Sequence, residues 1–489
     1  MQTLKYQSTR GDKTTLTSAE AIKRGIAPDG GLYMPESIPS LTLDEINSLL
    51  DKNYSERAFF VLSKFLNDYD SETLKKICEI SYNEERFGKE AAPVVKLGNG
   101  MSVLELWHGA TCAFKDMALQ IMPRLLSEAL VMTGEDKTAL ILVATSGDTG
   151  KAALEGYRDV EKVKILVFYP EKGVSGIQKL QMASQEGNNV GVMAIHGNFD
   201  DAQTGVKKIF SSDEIREKLL EKKTFLSSAN SINWGRLAPQ IVYYVSAYCD
   251  MIKDGTIKAG DKIDVTVPTG NFGDIFAAYI AKKMGLPLDR LVCASNKNKI
   301  LSDFFETGVY DRRRDFYTTT SPSMDILISS NLERLLFVAS DAETVKGLMS
   351  DLSEKGIYKI SPELLTTLKE DFTGAWCSEE ECAATVKKIF DAENYVIDPH
   401  TAVAVKCAED CKGENPMLVV STASAYKFAP AVLRALSGKE EKEEFDSIAS
   451  LSALTNTSAP TPLATLKDKT ERFTESCDKE DMPEKVLKF

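Results

Sequence analysis

The sequence predicts an α/β protein built on open, mostly parallel sheets, and three observations lead there. From about residue 95, compact apolar runs at 140–144, 164–168, 190–195, 263–267, 291–294 and 417–420 alternate with stretches of helical periodicity. Such alternation implies parallel strands covered by helices. Three of the runs are followed at once by loops of small and polar residues, TSGDTGK at 145–151, PTGNFGD at 268–274 and STAS at 421–424, and open parallel sheets gather ligands at those strand ends. Finally, 489 residues, 43% of them hydrophobic, supply a core for more than one domain.

Taken in chain order, residues 1–92 mix short turns with amphipathic helical patterns and read as an N-terminal module. Within it Pro28-Asp29-Gly30-Gly31 is a turn before the short apolar run Leu32-Tyr33-Met34-Pro35. Residues 93–235 and 236–489 then read as two open, twisted α/β subdomains. The second carries a mainly helical insertion at about 300–390, where charge rises and strand signals weaken, with Thr307-Gly308 and Thr373-Gly374 as punctuation. The charge run GKEEKEE at 438–444 is a helix start or linker, and Pro460-Thr461-Pro462 marks a bend before a polar C-terminal helix or tail.

A formal charge of −13 disfavours nucleic acid and anionic membrane as partners, although a few local cations can still hold an anionic substrate. The nine cysteines are odd in number and unpaired in spacing, which points to a reduced, cytoplasmic chain. Cys407 and Cys411 lie four apart without a second Cys or His pair, and His108, His196 and His400 are dispersed, so no metal site is expected. The N-terminus lacks an apolar signal core, and no stretch approaches the ~20 apolar residues of a membrane span. A soluble, unprocessed chain is expected.

The loops carry the chemistry. Ser146, Gly147, Asp148 and Thr149 leave backbone N–H groups and hydroxyls at a helix amino end, where the helix dipole favours anions. An ordinary βα turn would use the same residue types equally well. This loop is not a Walker A motif, because only two residues separate Gly147 from Gly150 and Ala152 follows Lys151. In the second loop, Gly270, Asn271, Phe272, Gly273 and Asp274 let the backbone approach a phosphate closely, again at a helix start. A tight turn accounts for that loop about as well, and its glycine order disfavours a dinucleotide site. The hydroxyls of 421–424 suit a ring nitrogen or an anion, and helix capping too. Lys115, in HGATCAFKDMA at 108–118, would ordinarily be a solvated lysine. Its apolar neighbours instead suggest desolvation, which lowers a lysine's pKa and prepares it for imine chemistry.

In that order, the lysine segment, SGDTG, GNFGD and STAS resemble the fold-type II pyridoxal-phosphate enzymes, whose architecture is like that of the tryptophan synthase β subunit. Further segments narrow the resemblance to the long form of threonine synthase: GIAPDGGLYMPE (25–36), LELWHGATCAFKDMALQ (104–120), GNFDDAQ (197–203), SSANSINWGRLAPQ (227–240), ASNKN (294–298), SPSMDILISSNLERLLF (321–337) and DPHTAVA (398–404). These run in the family's order over nearly the whole chain.

The resemblance implies a lyase of threonine biosynthesis that converts O-phospho-L-homoserine and water to L-threonine and phosphate by a β,γ-replacement. It implies pyridoxal 5′-phosphate as cofactor, with Lys115 as the Schiff-base and proton-moving lysine. By the same resemblance, Gly270, Asn271, Phe272, Gly273 and Asp274 surround the cofactor phosphate, and Thr422 faces the pyridine nitrogen. Ser146, Gly147, Asp148 and Thr149 meet the substrate carboxylate. Asn233, Arg236 and Lys427 are the candidates for the substrate phosphate, and a monomer or homodimer is expected. Lys151 lies outside the family pattern and is assigned an ion pair, whereas His108 and His400 lie in matched segments and suit the site or structural hydrogen bonding equally well. A related phospholyase releasing phosphate, 2-oxobutyrate and ammonia, or a catalytically silent homologue, is the alternative.

Overall fold

The computed structural model describes residues 3–145, 147–172 and 174–489. All six apolar runs form strands, each a residue or more longer than its run, and they fall into two sheets. One sheet has the order Ser476–Asp478, Val190–His196, Val163–Pro170, Thr138–Ala144, Thr224–Ser227, with every neighbour parallel. The other has the order Phe372–Trp376, Leu288–Ser295, Ile263–Pro268, Met417–Ser421, Met101–Glu105, Val94–Lys96. Its strands are parallel except the last, which returns antiparallel at the edge.

The sheets do not follow the boundaries read from sequence. Val94–Lys96 and Met101–Glu105 lie before the second subdomain in the chain yet pair into its sheet, and Ser476–Asp478 returns from the C-terminal tail to edge the first. Pairing between remote segments is a tertiary event that local periodicity does not report. The stretch 300–390 is mainly helical as expected, through Ile300–Thr307, Leu332–Ala339, Ala342–Lys355, Pro362–Asp371 and Glu379–Glu393. It also contributes Phe372–Trp376 as a sheet edge and the small antiparallel pair Val309–Asp311 with Ile357–Lys359.

The N-terminal module is a short antiparallel pair, Tyr6–Ser8 with Tyr33–Pro35, among five helices. Three of those helices begin with a capping box, at Thr17, Thr42 and Asn53, which satisfies N–H groups left open at a helix start. The module seats on the buried helix Trp234–Lys253. Tyr6 and Phe65 both pack on Trp234 with ring centroids 5.6 Å away, and Arg57 reaches Ser246 and Asp250 at 2.8 and 2.7 Å. Removing a ring buried like Trp234 costs about 3–5 kcal/mol in general, so this contact fixes the module to the body. No helix among the described residues is long and apolar enough to cross a membrane.

Candidate active site

Carboxyl ends of strands in both sheets feed one cluster of buried polar groups. Register between Met101–Glu105 and Met417–Ser421 sets the first part: Ser421 O accepts from Leu106 N at 3.0 Å, and Thr422 O accepts from Phe114 N at 2.8 Å. The chain before Lys115 is thereby strapped to the 421–424 loop. Two of the three hydroxyls there are occupied, Ser421 by Trp107 Nε1 and Thr401 and Ser424 by Tyr426 N. Among the described residues the Thr422 hydroxyl has no hydrogen-bond partner.

Lys115 opens the short helix Lys115–Leu119 and is largely enclosed, with 11% of its side chain exposed. Its Nζ lies 3.4 Å from Ser323 Oγ, 4.0 Å from Asp148 Oδ2 and 4.7 Å from the Phe114 ring centroid. Burial pushes its pKa down to about 8; Asp148 opposes that shift, while the charges of Arg236 and Lys427 reinforce it. The loop before it is held by buried Asp116, which accepts from Thr111 N at 2.8 Å and Thr111 Oγ1 at 2.9 Å. Gly109 is required beside it, since a Cβ there would meet Asp116 at 2.5 Å.

Asp148 starts the helix Asp148–Tyr157. It takes Gln178 Nε2 at 2.8 Å, Ser323 Oγ at 3.2 Å and Lys427 Nζ at 3.1 Å. Burial works to raise its carboxyl, but the charges of Lys427 and Lys115 and the bonds from Gln178 and Lys427 hold it well below the usual carboxylate range. Gly147 precedes it at φ 144°, and a Cβ there would meet Gln178 at 2.4 Å. Thr145 Oγ1 accepts from Gly147 N and Gly150 N, both at 3.0 Å. Those two N–H groups are therefore spent on the loop itself. Thr149 follows Asp148 in the first helical turn, and Ser146 lies outside the described residues.

The 268–274 loop is pinned by its carbonyls. Ser329 Oγ donates to Gly270 O at 2.8 Å, and Asn331 N and Nδ2 donate to Asn271 O at 3.1 and 3.0 Å. Among the described residues the N–H groups of Gly270, Asn271 and Phe272 donate to nothing. Phe272 sits in the left-handed region and caps the helix Gly273–Met284, so these donors converge on a helix amino end, the arrangement that receives phosphate. A Cβ at Gly270 would stand 2.6 Å from Ser323 O. Asp274 accepts from Tyr243 and Tyr244 at Oδ1, at 2.5 and 2.6 Å, while its buried Oδ2 has no partner. Burial pushes that carboxyl up to about 6, against the pull of the two tyrosines and Lys115.

The three candidate partners for a substrate phosphate separate. Arg236 is buried, donates to Ala229 O at 2.9 Å and has no carboxylate partner among the described residues. Burial lowers its pKa to about 10. Lys427, with no exposed side chain, is committed to Asp148 and to Thr111 O at 2.8 Å. Both polar ends of Asn233 are in use, capping Gly235 N at 2.9 Å and donating to Ile22 O of the N-terminal module at 2.9 Å. Lys151 pairs with Glu155 at 3.2 Å, and His108 with Glu105 at 2.7 Å.

In the sequence, Ser323 stands out only as part of the matched segment 321–337. In the fold it joins the lysine segment to the 145–151 and 268–274 loops, because its Oγ meets Lys115 and Asp148, its N–H meets His400 Nε2 at 3.1 Å, and its carbonyl lies against Gly270. It lies in the short 3-10 turn Pro322–Met324 after an exposed loop, too short an element to carry a period.

Family models match along the chain in order: threonine synthase N terminus over residues 5–82, pyridoxal-phosphate dependent enzyme over 96–423, and threonine synthase C-terminal over 401–486. Threonine synthase from Schizosaccharomyces pombe is 38% identical over 467 residues, covering 88% of this chain and 89% of that one. The chain belongs to the threonine synthase family. A pyridoxal-phosphate-bound threonine synthase from Brucella melitensis superposes with a TM-score of 0.89 at 38% identity, over 99% of each chain, so the fold is that of the fold-type II pyridoxal-phosphate enzymes. Human threonine synthase-like 1 is 41% identical over 438 residues, covering 87% of this chain, which spans 58% of that longer protein.

Proposed function

We propose that this protein is a threonine synthase, converting O-phospho-L-homoserine and water to L-threonine and phosphate with pyridoxal 5′-phosphate at Lys115. The observation that carries the reading is Arg236, a buried guanidinium with no carboxylate partner among the described residues, close enough to Lys115 for the two charges to oppose each other. A buried cation is costly until an anion reaches it, and a substrate phosphate supplies that anion in bidentate form.

The residues fit the cofactor. The free N–H groups of Gly270, Asn271 and Phe272 suit its phosphate, the close approach of Ser323 O to Gly270 admits no Cβ, and the unpartnered hydroxyl of Thr422 suits its ring nitrogen. When bound, the cofactor supplies an electron sink for charge developing on the substrate carbons. Lys115 then accepts and returns protons at Cα and Cβ, which its depressed pKa permits near neutral pH. The helix start at Asp148 and Thr149 faces the substrate carboxylate, with Lys427 keeping Asp148 compensated. Arg236 holds the phosphate that leaves from Cγ, after which Cγ is protonated and water adds at Cβ.

Product analysis tests the reading. Incubation of the cofactor-loaded protein with O-phospho-L-homoserine is expected to yield threonine and phosphate in equal amounts. Phosphate with 2-oxobutyrate and ammonia would instead assign a phospholyase, and no phosphate release would assign a silent homologue. The same reading places the protein in the cytoplasm as a monomer or homodimer acting on a small molecule.

A further inference from the structure

Resting on the reading of Lys115 as the cofactor-binding lysine, we propose that Ser323 is a catalytic hydroxyl serving the Lys115 amine, and that His400 and Asp398 are the residues that position it. Lys115 Nζ is 3.4 Å from Ser323 Oγ, and the same hydroxyl donates to Asp148 Oδ2 at 3.2 Å. The serine therefore accepts from the lysine and donates to the carboxylate, which fixes the direction of the amine whenever it is not bonded to the cofactor. A backbone N–H can only donate, so His400 Nε2 accepts from Ser323 N at 3.1 Å. That assigns the ring proton to Nδ1, which donates to Asp398 Oδ2 at 2.6 Å.

Asp398 is fully buried, caps the helix Pro399–Asp410 and takes His400 N and Thr401 N at 3.0 Å each. Phe428 closes one side of the imidazole, with ring centroids 4.8 Å apart. An Asp–His pair this enclosed sets the tautomer and the ring plane, and here it presents an acceptor to a main-chain N–H. It thereby locks the residue whose side chain reaches Lys115 and whose carbonyl closes on Gly270. The pair acts through Ser323 and does not reach the reacting amine.

The test compares Ser323→Ala, Ser323→Thr, His400→Ala and His400→Gln with the wild type, with urea midpoints recorded for all. Two quantities are read: the rate at which cofactor-free protein forms the visible imine on addition of pyridoxal phosphate, and kcat against KM for the phosphorylated substrate. Ser323→Ala and His400→Ala are expected to slow imine formation and lower kcat by about tenfold or more, with KM within about threefold. Ser323→Thr keeps the hydroxyl and His400→Gln keeps an acceptor for Ser323 N–H, so both should recover most of the loss. Imine formation and kcat at wild-type values in Ser323→Ala would overturn the proposal, as would equal defects in His400→Ala and His400→Gln. Imine formation does not depend on which product is released, so a wrong assignment of the reaction leaves this readout standing. A wild-type protein that forms no imine at all would overturn the Lys115 reading and this proposal with it.

Discussion

Lys427 Nζ stands 3.1 Å from Asp148 Oδ1, with the lysine side chain fully enclosed and the aspartate nearly so. Lys115 lies on the other side of the same carboxylate at 4.0 Å. One carboxylate thus serves two buried lysines unequally, and the tighter pair leaves the looser lysine available for chemistry.

Breaking the tighter pair leaves a buried charge with less compensation. Lys427→Met is expected to destabilise the protein by about 3 kcal/mol in urea unfolding near neutral pH. Asp148 is held below its unfolded value, so its contribution is complete above that value and is lost as pH falls through the folded one. Without Lys427 the folded value rises, and acid unfolding should begin at higher pH. Adding Asp148→Asn to Lys427→Met should recover part of the stability.

Arg236→Ala should raise KM for O-phospho-L-homoserine by about tenfold or more, the scale of a lost charge-assisted contact. Uptake of pyridoxal phosphate should change little. Because the Arg236 charge lowers the pKa of the free Lys115 amine, which is released once substrate is bound, the variant should also show the acid limb of its kcat profile displaced toward higher pH. A KM unchanged from wild type would remove Arg236 from substrate binding.

Gly270→Ala is expected to weaken cofactor binding by about tenfold or more, because a Cβ 2.6 Å from a main-chain oxygen forces the loop or the Ser323 segment to shift. Titration of cofactor-free protein with pyridoxal phosphate measures this directly.

Burial of Lys115 carries a pH signature. Its folded pKa of about 8 lies below the unfolded lysine value, so between the two the folded state binds fewer protons and stability rises with pH. Below about 8 the buried ammonium costs the cofactor-free protein on the order of 3 kcal/mol. Lys115→Met should therefore be more stable than wild type at about pH 7, with the advantage shrinking toward about pH 10. Urea unfolding at the two pH values checks the sign.

Much of this arrangement is legible before folding. The strand Ile263–Pro268 is legible because Ile263, Val265 and Val267 alternate with Asp264 and Thr266, a strand period, although the fold buries both sets, and its loop follows at once. Thr224–Ser227 and Phe372–Trp376 are less visible, since edge strands are half covered and FTGAW includes Gly374, which sits against Ser302. Ser476–Asp478 is three residues long with one buried side chain, too short for any period. In the site, the resemblance implies Lys427, but only the tertiary fold brings Asp148 to it. Asn233 is a candidate through the matched segment NSINWGR, and its use as a helix cap and tie to Ile22 depends on a module some two hundred residues away in the chain.

The most direct measurement is borohydride reduction of the protein loaded with pyridoxal phosphate, followed by peptide mapping of the lysine that carries the label. A single modified residue, Lys115, is expected, with Lys427 and Lys151 unmodified because their amines are engaged by Asp148 and Glu155. Label on either of those lysines, or a protein that takes up no cofactor, would contradict it.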